Sequence, residues 1–305
     1  MKIAILSRSS FIYSTNRLAE EARNRGHKVL VLDPLKCNLV MEKDAPHVHE
    51  YKNRLEKMDA IIPRIGSSIT FYGSAVIRQF EMMNVFTTLN SNALLRSRDK
   101  LRSMQLLSRE SIGFPRTFFT NMNTSLEAED IIEMAGGVPL VVKVLEGTQG
   151  LGVMLLESEM AATSVIQAMH SLHARIMVQE FIAEARGSDI RAFVVDGKIV
   201  GSMKRTGKEG DFRSNLHRGG SAEAVKLTAE EKNVVLRSCV ALGLKVAGVD
   251  LLRSSRGPLV MEVNSSPGLE GIEAATGVNI AGEIIKFVER QVDVKVSRKT
   301  MRNRG

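Results

Sequence analysis

The sequence predicts an α/β protein that opens as a parallel sheet and divides into two or three units, and three observations carry that expectation. Residues 2–6, 14–25 and 28–32 read in turn as a short buried strand, a helix closed by Gly26 and a second strand ended by Asp33-Pro34. Strand, helix, strand is how a parallel α/β sheet begins. At 305 residues the chain exceeds the size at which one core usually divides. An apolar share of 44% suits packed cores and gives no sign of disorder.

The remaining elements follow in chain order. Segment 36–58 is polar and shows no period, 60–65 reads as a third strand, 73–83 as a helix and 86–89 as extended. Residues 1–95 are therefore expected to form one Rossmann-like unit, without the GxGxxG fingerprint that would point to a dinucleotide. A helix is expected over 99–110 with Asp99 at its start, and another over 127–135 ending in Gly136-Gly137. Strand 139–144 carries Lys143 into a glycine-rich turn, Glu146-Gly147-Thr148-Gln149-Gly150-Leu151-Gly152, and 153–156 returns as a strand. Glycines there let the backbone approach phosphate oxygens and Lys143 adds a point charge. A glycine-rich hairpin turn without a ligand reads equally well. Next come a helix over 159–171, a strand over 176–181 leaving through Gln179-Glu180-Phe181-Ile182, and a hairpin of 189–195 and 198–203 about Asp196-Gly197. A cation-rich loop spans 204–220. Helix 228–242 has Thr228 and Glu231 at capping-box spacing, and a last helix covers 280–291.

One stretch organises the chemistry: Val246 to Gly268, VAGVDLLRSSRGPLVMEVNSSPG. Asp250 lies in one apolar run, SSRG turns the chain, and a second run delivers Glu262 and Asn264 before Pro267-Gly268. As a hairpin these runs would gather three oxygen-bearing side chains, with Glu262 and Asn264 on one strand face. Such hard ligands suit Mg²⁺ with its waters and phosphate oxygens. An acidic pair on a solvated face, beside a turn-forming Asn, is the competing reading.

Composition removes several classes. Aromatics are 5% with no Trp, which weakens base stacking on single-stranded nucleic acid. The net charge of +8 includes five cations from Lys295, Arg298, Lys299, Arg302 and Arg304, leaving +3 for the rest. The body is thus no strongly basic nucleic-acid binder, and 293–305 reads as a frayed basic tail, solvated or touching RNA or an acidic partner. Cys37 and Cys239 form no metal or redox pair, as expected in a reducing compartment. The opening apolar run is too short for a signal peptide and no membrane span is visible, so a soluble cytoplasmic protein is expected. No GxSxG occurs and neither Cys has an evident base, which disfavours a covalent hydrolase.

The order of these features resembles the ATP-grasp superfamily and, within it, the RimK-type alpha-L-glutamate ligases that modify a ribosomal protein. The resemblance runs from the first strand to about Arg290. It rests on PRIG at 63–66, SRDKLRSMQLL at 97–107, EGTQGLGV at 146–153, KEGDFRSNLHRGG at 208–220 and GVDLLRSSRGPLVMEVNSSPGLEGIE at 248–273. It implies a mixed α/β and α+β architecture: a Rossmann-like pre-ATP-grasp domain (1–95), an ATP-grasp lobe with the flap (96–180), a second lobe with the metal site (181–292), and then the tail. It further implies that Lys100 and Lys143 contact phosphates, that Gln179, Glu180, Phe181 and Ile182 form the adenine site, and that Asp189 meets the ribose. Arg213, Ser214 and Asn215 approach the triphosphate. Arg205 and Arg213 serve the reacting groups, while Asp250, Glu262 and Asn264 hold two Mg²⁺ or Mn²⁺.

The implied activity is an ADP-forming ligation of glutamate to a C-terminal carboxylate, that of a small-ribosomal-subunit protein. Free poly-alpha-glutamate or a small metabolite as acceptor is the close alternative. The non-enzyme alternative, suggested by the tail, is a nucleotide-regulated ribosome-binding protein. No membrane partner is implied, and a homo-oligomer stays open.

Overall fold

The structure is a computed structural model that describes residues 1–120, 124–145, 152–208, 212, 214 and 219–302, with side chains as far as 294. Among the described residues the strands form four sheets. The first is parallel, in the order Lys28–Leu32, Lys2–Leu6, Ala60–Pro63, Phe86–Thr87. Its central strand, KIAIL, is apolar on both faces because both are covered. Ile3 and Ile5 pack with Leu18, Ala22 and Phe287, whereas Ala4 and Leu6 pack with Val76, Ile77 and Phe80.

The second sheet is antiparallel, in the order Val153–Leu156, Leu140–Val144, Ile176–Glu180, Thr117–Phe119. Helices Ala128–Ala135 and Glu159–Ser171 pack on it through Ile131, Ile132, Ala162 and Ile166 in a core of its own. The third, also antiparallel, runs Ser221–Ala224, Lys198–Thr206, Ser188–Val195, Val246–Ser254, Gly257–Asn264. Helix Ala229–Leu242 covers one face through Val235 and Leu242, and helix Ile280–Arg302 covers the other through Ile284 and Val288. Each of those two cores also contains residues of the first sheet. The unit built on the first sheet, the first body, thus shares continuous cores with the third sheet, while the second sheet is a lobe with a separate core.

Local signals place most elements where expected. Asp99 caps helix Lys100–Arg109 by accepting from Arg102 N at 3.0 Å. Thr228 and Glu231 form the capping box on helix Ala229–Leu242. Asp196 and Gly197 both have positive φ, +49° and +73°, as a two-residue type I′ hairpin turn requires.

Stretches without an expected element take regular structure, and one expectation needs correction. Segment 36–58 is a small antiparallel sheet of Cys37–Val40, His47–Glu50 and Asn53–Arg54. It packs against helix Thr70–Met82 through Cys37 and Val48 and is tied to it by Tyr72 Oη to Cys37 O at 2.7 Å and Gln79 Nε2 to Val40 O at 2.9 Å; its strands are too short to show a period. A helix Ser91–Arg98, capped by Asn90 accepting from Ala93 N at 2.7 Å, precedes Asp99. Short strands Thr117–Phe119 and Ser221–Ala224 close sheet edges. The last helix continues to Arg302, so the stretch read as a frayed tail begins as helix.

Candidate active site

The 246–264 hairpin forms as expected and sets the floor of the site. Asp250 and Glu262 are direct partners across its two strands, and Gly248 faces Asn264. Cross-strand partners point to one face, so the two carboxylates are neighbours. The register slips by one residue between Asp250 and Leu251, a bulge of the kind that re-aims a side chain.

The neighbouring strand, Ser188–Val195, places Arg191 opposite Asp250. Arg191 grips that carboxylate with Nε to Oδ1 at 2.7 Å and Nη2 to Oδ2 at 2.6 Å. Arg205, one strand further, gives Nη2 to Asp250 Oδ2 at 2.6 Å. It also holds Asp189 through Nε at 2.7 Å and Nη2 at 2.5 Å. Asp189, Arg205 and Asp250 are 3%, 5% and 1% exposed, so these charges are stable only as a set. Burial would push the Asp250 carboxyl up, but Arg191 and Arg205 outweigh it and hold it at about 2. Burial and the charge of Asp250 push Asp189 upward, against the pull of Arg205 and Ser214. Both arginines are raised, because the carboxylates overcome the cost of burying them.

This network alters two expected roles. Arg205 was expected at the reacting groups, yet its Nε and Nη2 are committed to Asp189 and Asp250, so here it positions the acidic floor. Asp189 was expected on the ribose; its oxygens are spent on Arg205 and Ser214, and a sugar contact would require it to leave that pairing. Arg191 escaped the sequence reading.

Glu262 behaves differently from its partner. Its side chain is 52% exposed, with Oε1 3.8 Å from Arg191 Nη2. Enclosure by protein and the charge of Asp250 both push its carboxyl upward. With half the side chain in water, that push is screened. Lys143, from the second sheet, and Arg98, from the first body, both feel the charge of Glu262. Lys143 donates to Gln179 Oε1 at 2.6 Å, and Gln179 Nε2 to Thr117 Oγ1 at 2.7 Å. Burial, reinforced by Lys100 and opposed by Glu262, brings the Lys143 ammonium down to about 8.

The residues expected to form the hinge lie at the end of strand Ile176–Glu180 and just after it. Gln179 is 3% exposed and serves Lys143 rather than a ligand surface. Glu180 accepts from Arg116 N at 2.6 Å and from Arg256. Phe181 meets Phe212 edge to face with centroids 6.3 Å apart. Ile182 packs with Ala185 and Leu259. Ser214 is 8% exposed. Arg213, Asn215 and the flap residues 146–151 lie outside the described residues.

The donors fit a divalent cation of the magnesium type. Asp250 accepts three bonds, and a carboxylate offers roughly four lone-pair sites, so one remains. Glu262 is open to water beside it, and two adjacent like charges are what a cation relieves. Asn264 Oδ1 accepts from Ser266 N at 2.9 Å and keeps a second lone pair. No third carboxylate, His or Cys joins the pair among the described residues. Cys37 and Cys239 are buried, and burial pushes both thiols up to about 12, which makes neither a nucleophile.

An antiparallel sheet carrying acidic donors, packed with a parallel-sheet unit and faced by a separate antiparallel lobe that supplies a lysine, is the architecture of an ATP-grasp ligase. The model of the RimK pre-ATP-grasp domain matches residues 1–94 and that of the RimK-like ATP-grasp domain residues 97–288. The chain belongs to the RimK-like ATP-grasp family and is an ATP-dependent carboxylate-amine ligase. It is 58% identical over 295 residues, 97% of each chain, to a protein of Aliivibrio salmonicida named "Probable alpha-L-glutamate ligase". A Halorhodospira halophila protein of the same name is 56% identical over 290 residues, 95% of each chain. Among solved structures, the ATP-grasp ligase PsnB complexed with minimal precursor, Mg and ADP aligns at TM-score 0.73 and 18% identity, covering 96% of this chain and 98% of its own. D-alanine–D-alanine ligase from Bacillus anthracis complexed with ATP aligns at TM-score 0.69 and 19% identity, covering 98% and 99%. At such identities these structures show the fold alone. Among the described residues no helix is long and apolar enough to cross a membrane.

Proposed function

We propose that this ligase joins the amine of glutamate to a C-terminal carboxylate, that of a small-ribosomal-subunit protein, forming ADP and phosphate in the cytoplasm. The observation that carries the glutamate reading is 58% identity across 97% of a relative named as an alpha-L-glutamate ligase. A peptide acceptor is supported by structural neighbours titled as complexes with precursor peptides, PsnB and the macrocyclase MdnC of Microcystis aeruginosa.

The chemistry needs positioning and charge neutralisation rather than a protein nucleophile. A carboxylate oxygen of the acceptor attacks the γ-phosphorus of ATP, and the bond to the ADP oxygen breaks. The amine of glutamate then attacks the acylphosphate carbonyl, the amide bond forms, phosphate leaves, and one amine proton is lost to solvent or phosphate. Lys100 and Lys143 hold phosphates, the backbone of 180–182 receives adenine, and Arg191 and Arg205 keep Asp250 ionised and aimed. Asp250, Glu262 and Asn264 would hold Mg²⁺ or Mn²⁺, which supplies charge neutralisation at the transferring phosphoryl group. Lobe 117–180, with its own core, can close to exclude water from the hydrolysable acylphosphate.

Intact-protein mass spectrometry after incubation with small ribosomal subunits, ATP, Mg²⁺ and glutamate tests the acceptor. Steps of about 129 Da, the glutamyl residue mass, on one ribosomal protein are expected, because each acylphosphate yields one amide bond. Extension of free glutamate or a small metabolite alone, with every ribosomal protein unchanged in mass, would remove the protein acceptor and leave the ligase.

A further inference from the structure

Two arginines of the first body approach the acidic floor without a task in the scheme above. Arg64 follows strand Ala60–Pro63, and Arg98 is the last residue of helix Ser91–Arg98. Each is held by backbone carbonyls. Arg64 Nη2 donates to Pro267 O at 2.6 Å and to Ser266 O at 3.4 Å, and Arg98 Nη2 donates to Ile65 O at 2.5 Å. Among the described residues neither makes an ion pair with a carboxylate. Arg98 Nε is enclosed with no hydrogen-bond partner, and so is Ser266 Oγ in the loop that follows Asn264. The two guanidiniums repel each other, while Arg98 is drawn toward Glu262.

Two like charges brought together, fastened by neutral groups and left with an unused N–H, are costly unless an anion joins them. Arg191 and Arg205 bear the same charge but are saturated by Asp189 and Asp250. Arg64 and Arg98 are not. Arg98 lies within reach of the charge of Glu262 as Lys143 does from the lobe, and Arg64 holds the carbonyls of Ser266 and Pro267 just beyond Asn264, so the anion would lie beside the reacting groups. A planar guanidinium pair suits a carboxylate.

We propose that Arg64 and Arg98, with Ser266 Oγ, form a binding site for a substrate carboxylate at the first-body edge of the acidic floor. The inference rests on the glutamate-ligase reading, in which both the amine donor and an acidic acceptor tail bring carboxylates that do not react. The site takes that shared chemistry, and kinetics distinguishes the two sources.

The test uses the full-length enzyme with R64Q, R98Q and R64K, glutamate as donor, and a peptide ending in glutamate as acceptor. Gln keeps an amide N–H for the carbonyls and loses the charge. Each Gln variant is expected to raise the KM of one carboxylate substrate on the order of 10-fold to 100-fold, the loss of one charge-assisted hydrogen bond. The KM for ATP and the melting temperature should hold, and R64K should recover part of the loss. A rise for glutamate assigns the site to the donor, and a rise for the peptide assigns it to the acceptor. Unchanged KM values for both, with only stability or kcat reduced, would overturn the site and leave the arginines as braces of loop 265–268. If a variant does not fold, the wild type with amides replacing the non-reacting carboxylates reads the same site: a raised KM supports it, and indifference to every replacement overturns it. A wild type that makes no glutamyl product would defeat the glutamate reading itself, an outcome separate from normal ligation by insensitive variants.

Discussion

Asp250 and Glu262 face each other across one hairpin, yet the first is 1% exposed under two arginines and the second has half its side chain in water. The pair therefore divides its work. Asp250 is fixed and kept ionised by Arg191 and Arg205, and Glu262 is left available beside it.

Replacing Glu262 tests that division. Glu262→Gln keeps the shape and removes the available charge, so kcat should fall about 100-fold or more while the KM for ATP changes far less. Steady-state kinetics at limiting and saturating Mg²⁺ checks this. Near-normal turnover at limiting Mg²⁺ would remove Glu262 from the metal site.

The buried set predicts different pH slopes for the wild type and for a variant that lacks Arg205. Asp250 has a depressed folded pKa of about 2, so its contribution is complete above the unfolded value near 4 and is lost as pH falls toward 2. Asp189 is raised, so protonation favours its folded form as pH falls. Arg205→Met leaves two carboxylates without their shared cation and should cost roughly 3–5 kcal/mol at pH 7. With Asp189 then pushed further upward, while Arg191 still holds Asp250, the variant should gain stability from pH 7 to 5, where the wild type gains little. Denaturant titrations across that range decide it, and parallel slopes would contradict the network.

Lys143 predicts a pH dependence of nucleotide binding. Its pKa of about 8 means that the charge is present below pH 8 and lost above it. ATP affinity should weaken between pH 8 and 9.5, by up to the roughly 1.5–3 kcal/mol of one charge-assisted hydrogen bond. Lys143→Arg stays charged and should show a flatter profile in equilibrium titrations. Equal profiles would take Lys143 off the phosphates.

What could be read in advance was local. SSRG between two apolar runs announces the hairpin that pairs Asp250 with Glu262, and Thr228 with Glu231 announces a helix start. Arg191 was invisible because nothing local in the strand Ser188–Val195 sets it apart, and its role comes from a register with Asp250, 59 positions away. Arg64 and Arg98 sit in quotable strings, but only the packing of the first body onto loop 265–268 gives them a common site. Arg205 was placed at the reacting groups by its charge and by resemblance. Its burial and its commitment to Asp189 follow from a strand that runs on to Thr206 and from a register shift between Phe193 and Val194, neither of which the turn at Asp196-Gly197 announces.

The most direct measurement is the fate of ATP. Purified protein with ATP, Mg²⁺, glutamate and a peptide bearing a free C-terminus should release ADP and phosphate, one of each per amide bond formed, only when donor and acceptor are both present. Release of AMP and pyrophosphate, or ATP binding with no acceptor-dependent turnover, would contradict an acylphosphate ligase.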